Sequence, residues 1–335
     1  MLVQLSERLI PAVETEMRAV MNADGQRPTL FDGMIHYHMG WVTAEMEPDE
    51  VPSGKRIRPL LCLLCCESAG GNWRQAVPAA ASIEILHNFT LVHDDIQDHS
   101  PTRRGRPTVW TIWGVEQAIN TGDAMFAQAH LAMVRLAAMG VDAGITVHAL
   151  RRLDETCIEL TKGQHADMLF EGKESVSVDD YLTMINGKTA VLLSLAAELG
   201  ALIAGKDAAI VEHYAQFARN LGLAFQVRDD ILGIWGDESA IGKSAATDIE
   251  TRKKSLPVLY GLGRSGVLTS LYQETPSPTD FVARAISLLD SCGARQYAEQ
   301  MESQFTEEAL GHLTETGHEG DGLDALARFL LGRTS

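Results

Sequence analysis

HNFTLVHDDIQDHSPTRRGRPT, His87 to Thr108, runs from an apolar stretch into three carboxylates, Asp94, Asp95 and Asp98, and then into a segment carrying Arg103 and Arg104. Helical residues four apart share one face, so the spacing predicts a helix ending in Asp94 and Asp98 side by side. Paired carboxylates suit hard, oxygen-seeking cations such as Mg²⁺. The same pair alone also describes a solvated helix face, and a second cluster is needed to decide between the two. His87 stands two helical turns before Asp94, on the same face and within reach of the same mouth.

The second cluster is Asp229-Asp230, closing another apolar run, AQFARNLGLAFQVRDDILGIWGD, Ala215 to Asp237. Carboxylates that follow Phe and Val need a reason to sit there. Two acidic helix ends that face each other enclose a negative cavity stable only with cations in it, and Mg²⁺ held by few carboxylates also takes oxygens from a substrate phosphate. Basic residues recur beside predicted helix ends in Gly54-Lys55-Arg56-Ile57-Arg58-Pro59, Arg103-Arg104-Gly105, Gly187-Lys188-Thr189, Gly242-Lys243 and Arg252-Lys253-Lys254, where they can grip phosphate oxygens. A nucleotide-binding P-loop is excluded by spacing: five residues separate Gly236 from Gly242, and Gly187 has no glycine at the required distance before it.

Around these clusters the chain reads as all-helical. Alanine and leucine abound, apolar residues recur at three and four, and alternating β-branched runs are missing. Breaks fall at Gly70-Gly71, Ser100-Pro101, 105–107, Gly140, 171–177, Gly205, 236–242 and 275–278, none of them linker-like, so 1–335 is read as one domain. Ser177 with Asp180 forms a capping-box signature. The N-terminal segment, broken by Glu7 and Arg8, reads as an amphipathic helix and not as a signal peptide. The longest apolar run, 190–204, is interrupted by Glu198 and reads as a core helix, so no transmembrane segment is expected. Lys plus Arg is 28 against 45 Asp plus Glu, a net charge of −17, which argues against nucleic acid or anionic membrane as partner. Cys62, Cys65 and Cys66 lie among leucines in a set of 5 cysteines, which fits buried thiols in a reducing cytoplasm.

The ordered set GKRIRP, His87, DDIQD with RRG, GQHAD at Gly163 to Asp167, Gly187-Lys188-Thr189, Phe225-Gln226, DDILG and the lysine pair before SLP closely resembles the trans-prenyl diphosphate synthases, which elongate isoprenyl chains head to tail. The resemblance spans Gly54 to Pro257. It implies an all-α, single-domain bundle of the isoprenoid synthase type around a deep apolar pocket, as a homodimer. It further implies three Mg²⁺ ions, with Asp94, Asp98 and Asp229 as ligands and Asp95 and Asp230 in support. Arg103, Lys188, Thr189, Gln226, Lys243 and Lys253 match positions that hold the allylic diphosphate. Lys55, Arg58, His87 and Arg104 match those that hold isopentenyl diphosphate. The implied chemistry is ionisation of the allylic diphosphate, attack by the double bond of isopentenyl diphosphate, and loss of a proton, with the departed diphosphate as its acceptor.

One position departs from the pattern: Gly233 stands where the family often has the last aspartate of its second motif. Asp237, four residues on, is a candidate substitute, and Asp248 a candidate for orienting Lys243 or Lys253. Product length is read from Phe89 and Thr90, five and four residues before Asp94. Periodicity puts Thr90 on the Asp94 face and turns Phe89 away from it, as ordinary core. In the family an aromatic residue at the Phe89 position floors the pocket, which implies a geranylgeranyl product, with farnesyl or longer-chain synthesis as the alternative. A terpene cyclase would lack the second aspartate pair and GKRIRP, and a non-catalytic regulatory subunit would have lost its acidic motifs.

Overall fold

The segment 77–86 is apolar on nearly every side, Ser82 and Glu84 excepted, and a helix this apolar has to be surrounded. The computed structural model describes residues 1–22, 28–51, 54–173, 175–236, 246–275, 278–318 and 320–332. The chain divides into two compact units whose segments alternate along the sequence.

The first unit holds 1–157, 195–212 and 318–323. Its centre is α4, Val77–Gln97, packed by α1 (Leu2–Val20), α3 (Ile57–Ser68) and α6 (Val115–Val134). Helix α1 buries Leu9, Val13 and Met17, spaced by four, as expected of an amphipathic helix. Helix α2, Leu30–Met39, starts at Thr29, whose hydroxyl accepts from the Asp32 N–H at 3.1 Å, and stops at Gly40, where φ is 81°. The three clustered cysteines are fully buried on α3, and all five thiols are free. Gly200, on α9 (Val191–Ile203), explains the tight packing there: a Cβ on it would lie 2.4 Å from the Cys62 carbonyl oxygen. The short α5, Val109–Trp113, follows a two-residue antiparallel ribbon, Thr102–Arg103 with Arg106–Pro107. Among the described residues this is the only ladder of strands. Arg104 and Gly105 close it, both at positive φ (53° and 76°), as two-residue hairpins require.

The second unit holds 158–194, 213–317 and 324–335. Its described residues include the later part of α7 (Ala143–Gly172), α8 (Val178–Ile185), most of α10 (Ala208–Trp235), then α11 Thr247–Glu250, α12 Leu256–Arg264, α13 Gly266–Gln273, α14 Phe281–Ser291, α15 Ala294–Glu315 and most of α16, Gly322–Leu331. Ser177 and Asp180 form the expected capping box at the start of α8. Tyr181, Met184, Val227, Ile231 and Leu256 share one core cluster, each buried aliphatic side chain contributing about 2 kcal/mol. Between α8 and α9 the chain does not break, as expected of Gly187-Lys188-Thr189, but widens into a π-helical turn over Asn186–Ala190. The helical stretch Val178–Ile203 is long and apolar enough to cross a membrane by composition, yet most of it is buried in the fold, as a core helix is.

Candidate active site

In the first unit α4 delivers its carboxylates in different environments. Asp94 is half-buried. Asp98 caps the helix just past its last turn and is exposed, its N–H donating to the Asp94 carbonyl at 2.8 Å. Asp95 points inward, 2% exposed, and accepts from Nε of Arg103 at 2.8 Å. The ribbon thus has a purpose that composition did not reveal, because it aims Arg103 at Asp95 and turns Arg104 toward Gly54. Gly54 has a φ of 101°, and a Cβ there would sit 3.5 Å from Nη2 of Arg104. Lys55 is exposed, and Arg58 is half-buried on the first turn of α3.

Arg56, between them, is buried at 6% exposure in the left-handed region, with φ of 48°. It donates to Glu84 at 2.6 Å and to Glu14 at 2.7 Å, while Asn88 donates to Glu84 at 3.1 Å. Glu84 is the counter-ion of the cluster, its charge also bearing on Arg58 and Arg104. His87 stands among these cations, and burial together with Arg58 and Arg104 holds its imidazole well below the usual histidine range. His38, at the end of α2, was not singled out in the sequence. It lines a small cavity of about 30 Å³ with Arg103 and Arg104, and burial together with those two arginines holds it down at about 3. Both rings are therefore neutral donors or acceptors amid fixed positive charge.

In the second unit, Lys188, Thr189, Gln226 and Lys253 line one cleft of about 680 Å³, so four of the six predicted allylic-site residues are brought together. Lys188 is paired with Asp167 of GQHAD at 2.5 Å, and Thr189 donates to Gln226 at 3.2 Å. The π turn places this pair, and π turns recur at functional sites. It nests on α7 because Gly163 has no side chain: a Cβ there would lie 2.4 Å from the Lys188 backbone nitrogen. Of the basic triplet, Arg252 donates to the carbonyls of Tyr272 and Glu274, and Lys254 to those of Phe170 and Lys173. Lys253 is instead 53% exposed and lies 3.8 Å from Asp248. Lys243 and Asp237 lie outside the described residues.

Asp229 is half-buried, whereas Asp230 is fully buried. Asp230 accepts from the Tyr181 hydroxyl, from the Leu256 N–H at 3.0 Å and from Gln226 at 3.3 Å. Burial pushes its carboxyl up to about 6, against the opposing pull of Lys253 and of its hydrogen bonds. In each motif one aspartate is therefore structural while its neighbour reaches toward solvent. Among the described residues no three His, Cys, Asp or Glu side chains converge on a metal-sized site. That fits Mg²⁺, which takes one or two carboxylates and completes its shell with water and substrate phosphate. Asp94 and Asp98 in the first unit, and separately Asp229 in the second, are the carboxylates that would hold such an ion.

The polyprenyl synthetase family profile matches residues 42–289. The chain belongs to the polyprenyl synthetase family. It is 40% identical over 305 residues to a geranylgeranyl diphosphate synthase of Mycobacterium tuberculosis, covering 90% of this chain and 86% of the relative. It is 39% identical over 303 residues to a (2E,6E)-farnesyl diphosphate synthase of Mycobacterium bovis, covering 88% and 79% respectively. The crystal structure of a polyprenyl synthetase from Streptomyces coelicolor superposes with a TM-score of 0.88 at 33% identity, covering 99% of this chain and 100% of that one. The all-α fold of this polyprenyl synthetase is the one expected. His38, Arg56 and Glu84 are site-side residues that sequence reasoning passed over. The one signal available for Arg56 was its place inside GKRIRP.

Proposed function

We propose that this chain is a Mg²⁺-dependent prenyltransferase that joins isopentenyl diphosphate to an allylic diphosphate and releases geranylgeranyl diphosphate. The observation that carries the reading is the presence of two separate cation sets, each in the same unit as an acidic motif. Lys55, Arg58, His87 and Arg104 accompany Asp94 and Asp98, and Lys188, Thr189, Gln226 and Lys253 accompany Asp229. Two diphosphates require two such sets. Mg²⁺, three ions in this reading, supplies the positive charge that stabilises a departing diphosphate. Lys188 and Lys253 hold the allylic diphosphate as charge builds on it, and Thr189 and Gln226 orient it. Arg103, held by Asp95, is a further diphosphate-binding residue in this reading. Arg104, Arg58 and Lys55 hold the second diphosphate so that its double bond is the nucleophile.

Among the described residues four helices, α7, α9, α10 and α16, pass from one unit into the other, which supports reading 1–335 as a single functional domain. A homodimer is part of the proposal. Val115, Ile119, Leu131 and Val134 are exposed on α6 and leave apolar surface for a second copy to cover. Five free thiols support a reducing compartment, the cytoplasm.

Product length rests on Phe89. The ring is half-buried and packs on His93 and Phe126, with centroids 4.9 and 5.4 Å away, so it belongs to an aromatic layer between α4 and α6. A layer of this kind is what stops a growing apolar tail. The two relatives above differ by 1% in identity, 40 against 39, and do not separate a twenty-carbon from a fifteen-carbon product, so farnesyl diphosphate is the second reading. Purified protein supplied with isopentenyl diphosphate, each allylic primer and Mg²⁺, with products sized by chromatography, tests the activity. Phe89→Ala is expected to shift products to longer chains while ionisation continues. Folded, active Phe89→Ala protein with an unchanged product distribution would place the floor elsewhere.

A further inference from the structure

Arg252, Lys253 and Lys254 all line the cleft of the second unit, yet two of the three cations are engaged by main-chain carbonyls. The guanidinium of Arg252 donates through Nη1 to the Tyr272 carbonyl and through Nη2 to the Glu274 carbonyl, the latter at 2.9 Å, and its central carbon stands 4.8 Å from the centre of the Phe281 ring. Those carbonyls close α13. A helix C-terminus has acceptors without intrahelical partners and the negative end of the dipole, so a planar cation with forked donors fits it. Lys254 does the same for α7, donating to the carbonyls of Phe170 and Lys173. Two residues on, the Leu256 N–H donates to Asp230 of α10 at 3.0 Å.

Residues 252, 254 and 256 are thus tied to three different helices, while the Lys253 side chain between them is 53% exposed. The main chain is held as well: the Arg252 N–H donates to the Ile249 carbonyl at 3.0 Å and the Lys253 N–H to the Asp248 carbonyl at 2.8 Å. Arg252 reaches its anchor from the left-handed region, with φ of 54°, a conformation that glycine adopts freely and arginine does not. Such a conformation persists only where the surroundings fix it. Here the surroundings are two carbonyls and an aromatic ring, all of them on the far side of the segment from α7.

We propose that Arg252 is a positioning residue for the diphosphate cleft: its anchor on α13 and Phe281, opposed by that of Lys254 on α7, fixes the segment so that Lys253 presents its ammonium group to the allylic diphosphate. This rests on the reading of Lys253 as a diphosphate-binding residue. One consequence reaches further along the chain. Helix α13 and the start of α14, which among the described residues add nothing to the cleft lining, share in setting its affinity.

The anchor is tested by titration calorimetry with inorganic pyrophosphate in excess Mg²⁺ and by KM for each substrate. Glycine suits the left-handed backbone better than arginine, so Arg252→Gly removes the anchor while sparing the local fold. It is expected to weaken pyrophosphate binding and raise KM for the allylic diphosphate by about 10-fold, with KM for isopentenyl diphosphate unchanged. Arg252→Met, which keeps an apolar stem beside Phe281 but no donors, is the second variant and is expected to show the same loss. The double variant Arg252→Gly/Lys253→Ala is expected to bind no more weakly than Lys253→Ala, because without the ammonium group nothing is left to position. Wild-type affinity in either Arg252 variant, an equal rise in both Michaelis constants, or additive losses in the double variant overturns the proposal and leaves Arg252 as a helix cap that only stabilises the fold. Lys253→Ala separates the two levels. If it weakens pyrophosphate binding while the Arg252 variants do not, only the role of Arg252 fails. If Lys253→Ala binds as wild type, the reading of Lys253 fails with it.

Discussion

Adjacent aspartates in this protein carry opposite duties, and substitution should separate them. Asp98 is exposed at the end of α4, so Asp98→Ala removes nothing from the core. Its expected effect is on turnover, a loss on the order of 10³-fold or about 4 kcal/mol of barrier, with an unchanged melting temperature. Asp230→Asn should do the reverse in its first effect. An amide that keeps its oxygen on the Tyr181 hydroxyl and the Leu256 N–H turns its N–H₂ toward the Gln226 amide nitrogen, which was donating, at a cost of about 1 to 3 kcal/mol of stability. Calorimetric melting beside steady-state kinetics distinguishes the two, and equal melting temperatures would contradict this assignment. Glu84 follows the same logic with a charge. Glu84→Gln leaves Arg56, 6% exposed, with a half-lost partner and is expected to cost about 3 kcal/mol in urea unfolding. The double change Arg56→Met/Glu84→Leu removes the pair together and is expected to cost less, since desolvation of both charges is relieved while Glu14, Arg58 and Arg104 each lose a neighbour of opposite charge. Similar losses in the two proteins would mean that the pair stabilises by more than the desolvation it incurs.

At the scale of elements, what could be read from the sequence depended on how many residues carry the signal. Helices such as α4 and α10 were legible because apolar spacing repeats over about twenty residues or more. The ribbon at 102–107 was not, since two-residue strands show no alternation and Arg104 occupies a turn position where asparagine is the usual mark. The π turn at Asn186–Ala190 left no trace either, because inserting one residue into a helix changes no composition, and Gly187-Lys188-Thr189 reads as a helix end. Its explanation lies across the chain in Gly163, whose missing side chain admits the widened turn. Gly163→Ala therefore tests the geometry. A methyl group 2.4 Å from the Lys188 nitrogen must displace the turn, with about 1 to 3 kcal/mol lost and KM for the allylic diphosphate raised. A variant with normal KM and normal stability would show that the turn can yield without moving Lys188. The site was legible in the same uneven way. Lys188, Thr189, Gln226 and Lys253 do line one cleft, but nothing in Arg252-Lys253-Lys254 told which of three cations stays clear of backbone carbonyls.

Considered as a whole molecule, a chain of net charge −17 that binds polyanions needs positive charge concentrated where substrate sits, and it needs cations to quiet its own carboxylates. Both units meet the first need with local clusters that run against the overall sign. The second need makes folding and ligation one equilibrium. Asp94 and Asp229 are each held half-buried by the fold beside a second aspartate, so in the unligated protein like charge within each motif opposes the native state, and Mg²⁺ with a diphosphate is expected to relieve it. Mg²⁺ alone lacks the phosphate oxygens that complete its shell, and pyrophosphate alone meets the carboxylates as a like charge. The two together should therefore raise the melting temperature by more than the sum of each alone. At a ligand concentration 100 times the dissociation constant the gain is about 2.7 kcal/mol. Differential scanning fluorimetry over a grid of the two concentrations checks this, with EDTA restoring the unligated value. Strictly additive shifts would mean that metal and diphosphate bind independently, and the carboxylates would then not be the groups that join them.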